Sequence, residues 1–425
     1  MSARDAALLE LDAKRLPGWL ADLLASRKGA PLNDPRDRAL ADRLAVGVVK
    51  NLFFLEELAT HYSGQPLEKI DPLARKILAV ALYQLRFMDR IPPSAAVNEA
   101  VTQARRFGLP RATGFINAVL RNSLRDPAPL APSAETEPAQ YARRILSHPV
   151  ELFERFARLH GAALALEFCR HNNSEPPTIL RLFPGVRVEQ LAAEGVSLQP
   201  HSSPNMYVVE GARHALLAEW SQAGLAQVQD PTSAAVLAHL DLKSGQHVLD
   251  RCCGMGTKTF QLRDGVGPEG KIVAVDPSAP RCAALNQLLA QRKIENVKVI
   301  RASTLGPQHA PFDRILIDAP CSNSGTLARR PEARYFQDDN SLLSLAKLQD
   351  AILADTAPLL SSGGLLLYST CSVWPEENEE RVAHFQRDHG DYELVEQITT
   401  LPSADVAADQ YHDGGYVAVL RRHTK

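Results

Sequence analysis

Apolar side chains recur at helical spacing along the first 125 residues. Asp71-Pro72 favours a helix start, because proline fits the first helical turn, and Pro92-Pro93 interrupts the pattern. The spacing predicts helical stretches over 39–59, 73–88, about 95–107 and about 112–124. No alternating pattern typical of strands occurs here, so the chain is expected to begin with an all-α bundle over 1–125.

Proline then replaces the regular pattern. Residues 125–140 hold four prolines and little apolar content, which predicts an interdomain linker over 126–139. Beyond it, a helical pattern at 149–171 leads into short strand-like runs at 178–183 and 206–210. We interpret 140–225 as a small α+β module.

From residue 226 to the end at 425, apolar runs alternate with helical stretches or loops. The runs lie at 247–253, 271–276, 297–302, 313–320 and 364–370. Such alternation is typical of a parallel sheet covered by helices on both faces. The expected architecture is therefore multidomain, and it ends in a Rossmann-like α/β domain.

Composition narrows the class of protein. No apolar run is long enough for a membrane helix, and the acidic residues in the N-terminal stretch predict an amphipathic helix rather than a signal peptide. We expect a cytoplasmic monomer whose six cysteines are free thiols and bind no metal. Residues 1–126 hold 19 Lys/Arg and 14 Asp/Glu, a charge of +5, and the remainder carries −7. This imbalance fits a polyanion partner or ordinary solvated helix faces.

A glycine turn follows the first strand of the expected sheet. Gly254 and Gly256 lie just after Asp250, and allow the close backbone approach that a nucleotide requires. The second strand ends in Asp276, which could accept both hydroxyls of a ribose. Dehydrogenases use the same arrangement, so a nucleotide-dependent oxidoreductase and an ordinary turn beside a surface acid remain alternatives.

Two cysteines follow the fourth and fifth strands. Cys321 lies three residues after Asp318, and Cys371 follows Ser369-Thr370. Ligands bind at the carboxyl ends of strands in open α/β sheets, so both thiols and the acid are expected at one crevice. Each cysteine alone could be a small buried residue. Together they fit methylation of cytosine at carbon 5, since a thiolate adding to carbon 6 makes the ring nucleophilic and a nearby acid stabilises the developing charge.

These motifs resemble the RNA cytosine-C5 methyltransferase family, in particular the bacterial RsmB/Sun type that modifies 16S ribosomal RNA. DAPCSNSGTLARRPEARY (318–335) and YSTCSVWPEENEERV (368–382) resemble its two cysteine motifs. FINAVLRN (115–122) is similar to its NusB-like RNA-binding domain, and SHPVELFERF (147–156) and VQDPTSA (228–234) are similar to segments before the cofactor fold. The resemblance implies S-adenosyl-L-methionine as cofactor and ribosomal RNA as partner.

The resemblance also implies roles for individual residues. Cys371 would be the nucleophile, Cys321 would help release the product, and Asp318 and Lys258 would complete the catalytic set. Arg329 and Arg334 would meet the RNA backbone. The implied cofactor-binding residues are Asp250, Cys252, Gly254, Gly256, Lys258, Asp276, Arg281, Ser303 and Asp318.

The chain departs from the family pattern at three positions. In the glycine turn, Met255 replaces a proline and Thr257 replaces a glycine, and a β-branched residue is costly where φ must be positive. After the third strand, Ser303 replaces an acid. These departures favour a further alternative, an RNA-binding ribosome-assembly factor that retains the fold without catalysis.

Overall fold

The computed structural model describes residues 2–11, 34–126 and 131–424. It contains two compact units. The first unit comprises Met1–Ser174 and Leu327–Asp338, and the second comprises Glu175–Thr326 and Asp339–Lys425. No helix of the described residues is both long enough and apolar enough to cross a membrane.

The first unit is helical. Its described helices are α1 (Ala3–Glu10), α2 (Pro35–Lys50), α3 (Leu52–Ser63), α4 (Pro72–Phe87), α5 (Pro93–Arg106), α6 (Thr113–Arg125), α7 (Pro138–Arg144), α8 (Val150–His160) and α9 (Ala162–Asn173). Helix α4 is the most buried, with Ile77, Leu78 and Leu82 fully enclosed. Burial of each such side chain stabilises the bundle by about 1.5–3 kcal/mol.

Local sequence explains where these helices begin. The Asp71 side chain accepts hydrogen bonds from the backbone N–H groups of Leu73 and Ala74, and Pro72 occupies the first turn of α4. The helical character predicted for 1–125 is confirmed in the described residues. Residues 12–33 of the predicted N-terminal helix region, and 127–130 of the predicted linker, lie outside the described residues.

The predicted 140–225 module is divided between the two units. Helices α7, α8 and α9 pack together in the first unit, whereas the chain from Glu175 onward belongs to the second. There, β1 (Thr178–Leu182), β2 (Ser197–Pro200), β3 (Met206–Glu210) and β4 (Ala226–Val228) form an antiparallel sheet of order β2-β3-β1-β4. The unit boundary at Ser174 therefore falls inside the predicted module.

The second sheet has seven strands in the order β10-β11-β9-β8-β5-β6-β7. Its strands are β5 (His247–Asp250), β6 (Lys271–Asp276), β7 (Val297–Arg301), β8 (Phe312–Asp318), β9 (Leu360–Thr370), β10 (Tyr392–Thr400) and β11 (Gly415–Arg422). Strands β5 to β9 are parallel where they pair, and β10 and β11 are antiparallel. The predicted Rossmann-like fold is confirmed, although the last two strands were not predicted.

Helices flank these strands along the chain. They are α10 (His214–Gln222), α11 (Pro231–Ala235), α12 (Thr257–Val266), α13 (Ala279–Gln291), α14 (Asp339–Thr356) and α15 (Glu379–Asp388). From β5 the sheet continues to β6 and β7 on one side and to β8 and β9 on the other. This reversal of strand order opens a crevice at the carboxyl ends of β5 and β8, where doubly wound sheets bind their ligands.

Candidate active site

The two predicted active-site thiols lie in contact. Asp318 at the end of β8 is in register with Ser369 near the end of β9, so the loops that follow leave the sheet side by side. The Sγ atoms of Cys321 and Cys371 are 3.2 Å apart, and both residues are partly exposed. The parallel pairing of β8 and β9 therefore joins two motifs that are 50 residues apart in sequence.

Close backbone packing holds these loops together. The Gly325 N–H donates to the Cys371 carbonyl at 2.9 Å. A Cβ at Gly325 would lie 2.7 Å from the Gly414 carbonyl and 2.9 Å from the Cys371 carbonyl oxygen, closer than such contacts allow. Nearby, the buried hydroxyls of Ser324 and Ser372 are 2.9 Å apart. Glycine is therefore needed at 325 for the loops to meet.

Asn323 links the two cysteines through its side chain. The Cys371 thiol donates to Asn323 Oδ1 at 3.2 Å, and Asn323 Nδ2 donates to the Cys321 carbonyl at 3.1 Å. Its φ of 60° lies in the left-handed region, which asparagine tolerates better than most residues. The residue thus orients the Cys371 thiol, a function that was not predicted.

The environment of Cys321 favours the neutral thiol. The hydrogen bond with Cys371, desolvation, and the negative charges of Cys371 and Glu377 all raise the pKa of Cys321 above its ordinary value. A cysteine with a raised pKa is a poor nucleophile at neutral pH, because the thiolate is the reactive form.

Asp318 is held by two side chains at the edge of the crevice. Lys258 Nζ donates to Asp318 Oδ2 at 2.7 Å, and Ser369 Oγ donates to Asp318 Oδ1 at 2.9 Å. Lys258 also donates to Ser233 Oγ at 3.1 Å. The Lys258 side chain is 12% exposed and that of Asp318 is 36% exposed, so the acid is the group that a ligand could reach.

The glycine turn takes a conformation that removes the predicted difficulty at Thr257. Positive φ angles occur at Gly254 (54°) and Gly256 (90°), whereas Thr257 is the first residue of α12. A Cβ at Gly256 would also overlap the side chain of Leu285. The cost that a positive φ at Thr257 would carry is therefore avoided, because the two glycines carry the left-handed conformations. Met255 is exposed.

Asp276 lies where β6 meets the glycine turn. Its carboxylate accepts from the N–H groups of Gly254 at 3.2 Å and Ser278 at 2.8 Å. Arg281 Nη1 is 3.8 Å from Asp276 Oδ2, and its side chain is mostly exposed. Ser303, after β7, is also exposed. The structure thus groups Asp276 and Arg281 with the turn.

Asp250, a predicted cofactor-binding residue, lies beneath the turn and is fully buried. Thr259 Oγ1 donates to its Oδ2 at 2.7 Å, and Oδ1 has no hydrogen-bond partner among the described residues. Burial raises the pKa of Asp250 to about 7. Burial also raises the pKa of the neighbouring Cys252 thiol to about 12. An orphaned acceptor under a glycine turn fits a ligand-binding cradle.

Asp250→Asn is expected to stabilise the second unit at neutral pH. Since the folded pKa of Asp250 exceeds its unfolded pKa of about 3.9, the unfolded chain loses its proton first, and this residue's contribution to stability falls as pH rises from about 4 to about 7. The variant should gain at least about 1.4 kcal/mol between pH 5 and pH 7.5, equivalent to one pKa unit. Urea unfolding followed by tryptophan fluorescence measures this gain, and an equal gain at both pH values would contradict the assignment.

Arg334 is not available to RNA in this structure, contrary to the prediction. It is fully buried in the first unit. Its guanidinium donates to the carbonyls of Lys50, at the end of α2, and Asn172, at the end of α9, at 2.8 and 3.0 Å. Helix C-termini leave carbonyls without helical partners, and arginine satisfies them. Arg334 is therefore a helix-capping residue. Arg329 is partly exposed and remains a predicted RNA contact.

The described part of the chain holds no group of three or more His, Cys, Asp or Glu side chains arranged to hold a metal ion. The sequence analysis did not identify several residues that shape the site. They are Ser233, Asn323, Gln349, Ser369 and Glu377. The one available signal was the dense polar run around Glu377, within the second cysteine motif.

Comparison with known proteins relates two regions of the chain to protein families. Residues 237–420 match the family model described as 16S rRNA methyltransferase RsmB/F, and residues 3–125 match the NusB family. The solved structure of PH0851, 21% identical, covers 99% of this chain and 98% of that chain with a TM-score of 0.78, which shows a shared fold.

Two relatives extend over most of the chain. The probable ribosomal RNA small subunit methyltransferase B of Bacillus subtilis is 30% identical, covering 92% of this chain and 90% of the relative. Ribosomal RNA small subunit methyltransferase B of Vibrio cholerae is 32% identical, and the match covers 91% of this chain and 90% of the relative. The chain belongs to the ribosomal RNA small subunit methyltransferase B family, and it is an RNA methyltransferase that joins a NusB-family region to a Rossmann-like methyltransferase domain.

Proposed function

We propose that the protein methylates carbon 5 of a cytosine in 16S ribosomal RNA, through a covalent bond between Cys371 and carbon 6 of the base. The contact between the Cys321 and Cys371 thiols, next to Asp318 and the glycine turn, is the observation that carries this proposal. Two thiols in contact are not needed to bind a nucleotide or transfer a hydride, so the oxidoreductase alternative leaves this geometry without a purpose.

Cys371 performs the first step. Its thiolate forms a bond to carbon 6, and the electron pair of the C5–C6 double bond moves into the ring, so that carbon 5 becomes nucleophilic. S-adenosyl-L-methionine supplies an electrophilic methyl group to carbon 5. The target base must leave its stack to reach a thiol in this crevice.

Asp318 and Lys258 balance the charge that develops as Cys371 attacks. Asp318 is the more exposed member of the pair and contacts ring nitrogen 3 in this mechanism. A proton passes from the Lys258 ammonium through the Asp318 carboxylate to ring nitrogen 3, which leaves Lys258 neutral until release. Electrostatic groups placed before the reaction are most effective in a site of low dielectric constant.

Release of the product breaks the bond that Cys371 formed to carbon 6. The proton on carbon 5 passes to a bound water as base, and the Cys321 thiol donates its proton to the departing Cys371 sulfur. The C5–H electron pair restores the C5–C6 double bond, the C6–S bond breaks, and its electron pair leaves on the Cys371 sulfur. The proton on ring nitrogen 3 returns through Asp318 to Lys258. Cys321 is placed for this step because its sulfur lies 3.2 Å from that of Cys371.

Tritium release tests the reaction site. RNA transcribed with cytosine tritiated at carbon 5 should release tritium to water in proportion to methyl groups incorporated, because substitution at carbon 5 expels its hydrogen. The full-length protein with S-adenosyl-L-methionine and 16S ribosomal RNA should give a ratio near one. Methylation without tritium release would place the methyl group at another atom and remove the C5 assignment.

Asp276→Ala is expected to weaken cofactor binding by tenfold or more, about 1.4 kcal/mol. The acid lies at the turn and, in this proposal, accepts hydrogen bonds from the ribose of S-adenosyl-L-methionine. Calorimetric titration measures the affinity, and Glu295→Ala, which removes an exposed acid from the same unit, should leave it unchanged. Equal affinity in both variants would remove Asp276 from the cofactor site.

The helical unit holds RNA in this proposal, and the protein acts as a cytoplasmic monomer. Exposed Arg121 and Arg125 lie one turn apart on α6. Changing both to alanine should lower RNA affinity and reduce the dependence of log Kd on log salt by about 1.5 to 2, since each phosphate contact releases about one counterion. Lys271→Ala with Lys298→Ala, two exposed residues of the other unit, is the matched control. An identical effect of both pairs would show general charge attraction instead.

A further inference from the structure

Glu377 is a fully buried acid next to the Cys321 loop, and the mechanism above gives it no role. It lies six residues after Cys371, within the second cysteine motif. Both donors of Ser322, the residue after Cys321, point at its carboxylate. The Ser322 N–H donates to Glu377 Oε1 at 2.8 Å, and Ser322 Oγ donates to Oε2 at 2.6 Å.

Gln349 on α14 completes this arrangement from the other side of Cys321. Its Nε2 group donates to the carbonyl of Pro320, the residue before Cys321, at 2.9 Å. The same group donates to Glu377 Oε1 at 3.2 Å. The backbone is therefore fixed immediately before and immediately after Cys321, and Glu377 belongs to both attachments. Hydrogen bonds to a buried carboxylate are strong, which makes the attachment rigid.

We propose that Glu377 is a positioning residue for Cys321: together with Gln349 it fixes this cysteine against Cys371, and its charge opposes a thiolate at Cys321. This inference rests on the proposed function, because it matters which of the two thiols stays protonated only if one of them attacks the base. It gives a physical reason for the order of the two cysteines, which the spacing of the motifs does not provide.

The charge of Glu377 explains why Cys321 keeps its proton. A thiolate on Cys321 would lie near the Glu377 carboxylate, and like charges in a desolvated site repel strongly. The titratable groups that interact electrostatically with Cys321 are Cys371, Glu377 and Tyr368. The Tyr368 hydroxyl donates to the backbone carbonyl of Glu377 at 2.7 Å. Two thiols in contact titrate as a coupled pair. The Glu377 carboxylate is hydrogen-bonded to Ser322, the residue after Cys321, and its charge raises the pKa of Cys321. In the proposed function, this leaves Cys371 as the nucleophile.

Alkylation of Cys321 tests the role of Glu377 without RNA or cofactor. In a Cys371→Ser chain, the rate of Cys321 modification by iodoacetamide is followed against pH by peptide mass spectrometry. Adding Glu377→Gln keeps an acceptor for the Ser322 N–H but removes the charge. The pH midpoint of alkylation should fall by about one unit or more, so that alkylation below the midpoint is about tenfold faster.

Glu380→Gln, added to the same Cys371→Ser chain, is the matched control, because it removes a negative charge from an exposed side chain three residues away. It should leave the midpoint unchanged. Thermal unfolding and binding of S-adenosylhomocysteine report whether each variant is folded. A folded Glu377→Gln variant with an unshifted midpoint would overturn the inference, since a purely structural acid does not change the titration of the thiol.

The unmodified chain gives a second measurement that does not depend on the folding of any variant. At neutral pH and limiting iodoacetamide, Cys371 should be modified before Cys321, and the reverse order would contradict the inference. Neither measurement requires methylation. A chain that shows these reactivities but transfers no methyl group to cytosine would therefore defeat the proposed function and leave the role of Glu377 standing.

Discussion

Replacing Cys321 with alanine is expected to leave the enzyme covalently attached to its RNA. Cys371 remains able to attack carbon 6, and methyl transfer proceeds, but the group placed 3.2 Å from the Cys371 sulfur to assist release is gone. Incubation with end-labelled 16S ribosomal RNA and S-adenosyl-L-methionine should give a protein–RNA conjugate that survives denaturing electrophoresis. The wild-type chain should show little of it, because release follows each transfer.

Cys371→Ala and Cys371→Ser provide the opposite result and the control. Both should lose methyl transfer to the background level and form no conjugate, and the double variant lacking both thiols should also form none. If the conjugate accumulated in Cys371→Ala instead, the order of the two cysteines would be reversed. Intact methylation in both single variants, with no conjugate in either, would eliminate the covalent mechanism.

Asp318→Asn is expected to slow methyl transfer by about 10² to 10⁴-fold without trapping RNA. The amide cannot deliver a proton to ring nitrogen 3, so the base is not activated and the step before methyl transfer becomes limiting. Single-turnover transfer to RNA, measured with saturating enzyme, separates this effect from binding. Lys258→Met should produce a loss of similar size, because Lys258 donates to Asp318 at 2.7 Å.

Ser369→Ala is the milder comparison for Asp318→Asn. It removes one hydrogen bond to Asp318, the 2.9 Å contact to Oδ1, and leaves the carboxylate and Lys258 in place. Loss of one such bond is worth about 0.5–1.5 kcal/mol, or roughly two- to twelvefold in rate. If Asp318→Asn were no worse than Ser369→Ala, the acid would act through orientation alone and not through proton delivery.

The sequence predicts the parts of the site that depend on strand order. Parallel strands place their carboxyl ends at one edge, so motifs after β8 and β9 must lie near each other whatever the loops do. This is why Asp318, Cys321 and Cys371 could be grouped before the structure was known. The helices of the first unit were predictable for a related reason, since their apolar spacing and the Asp71 cap are local signals.

The contacts that depend on three-dimensional packing could not be predicted in the same way. Arg334 stands in a basic run, ARRPEAR, that resembles an exposed surface, yet it caps two helix ends. Nothing in the spacing of the chain shows that carbonyls of Lys50 and Asn172 would converge on it. The unit boundary at Ser174 depends on the same kind of long-range packing.

Backbone conformation accounts for the remaining differences. Thr257 was expected to be strained because the family pattern has glycine there, but the positive φ angles fall at Gly254 and Gly256. The turn therefore retains its left-handed geometry, which removes the main reason for considering a non-catalytic assembly factor. Asn323 gave no signal in the sequence, because its role depends on a φ of 60° that aims its amide at Cys371.

Nucleoside mass spectrometry of 16S ribosomal RNA tests the central claim most directly. RNA from cells lacking the gene is compared with RNA from the same cells carrying the wild-type chain or Cys371→Ala. The account predicts that one 5-methylcytosine disappears in the deletion, returns with the wild-type chain and stays absent with Cys371→Ala. An unchanged 5-methylcytosine content in the deletion strain, or its restoration by Cys371→Ala, would contradict the account.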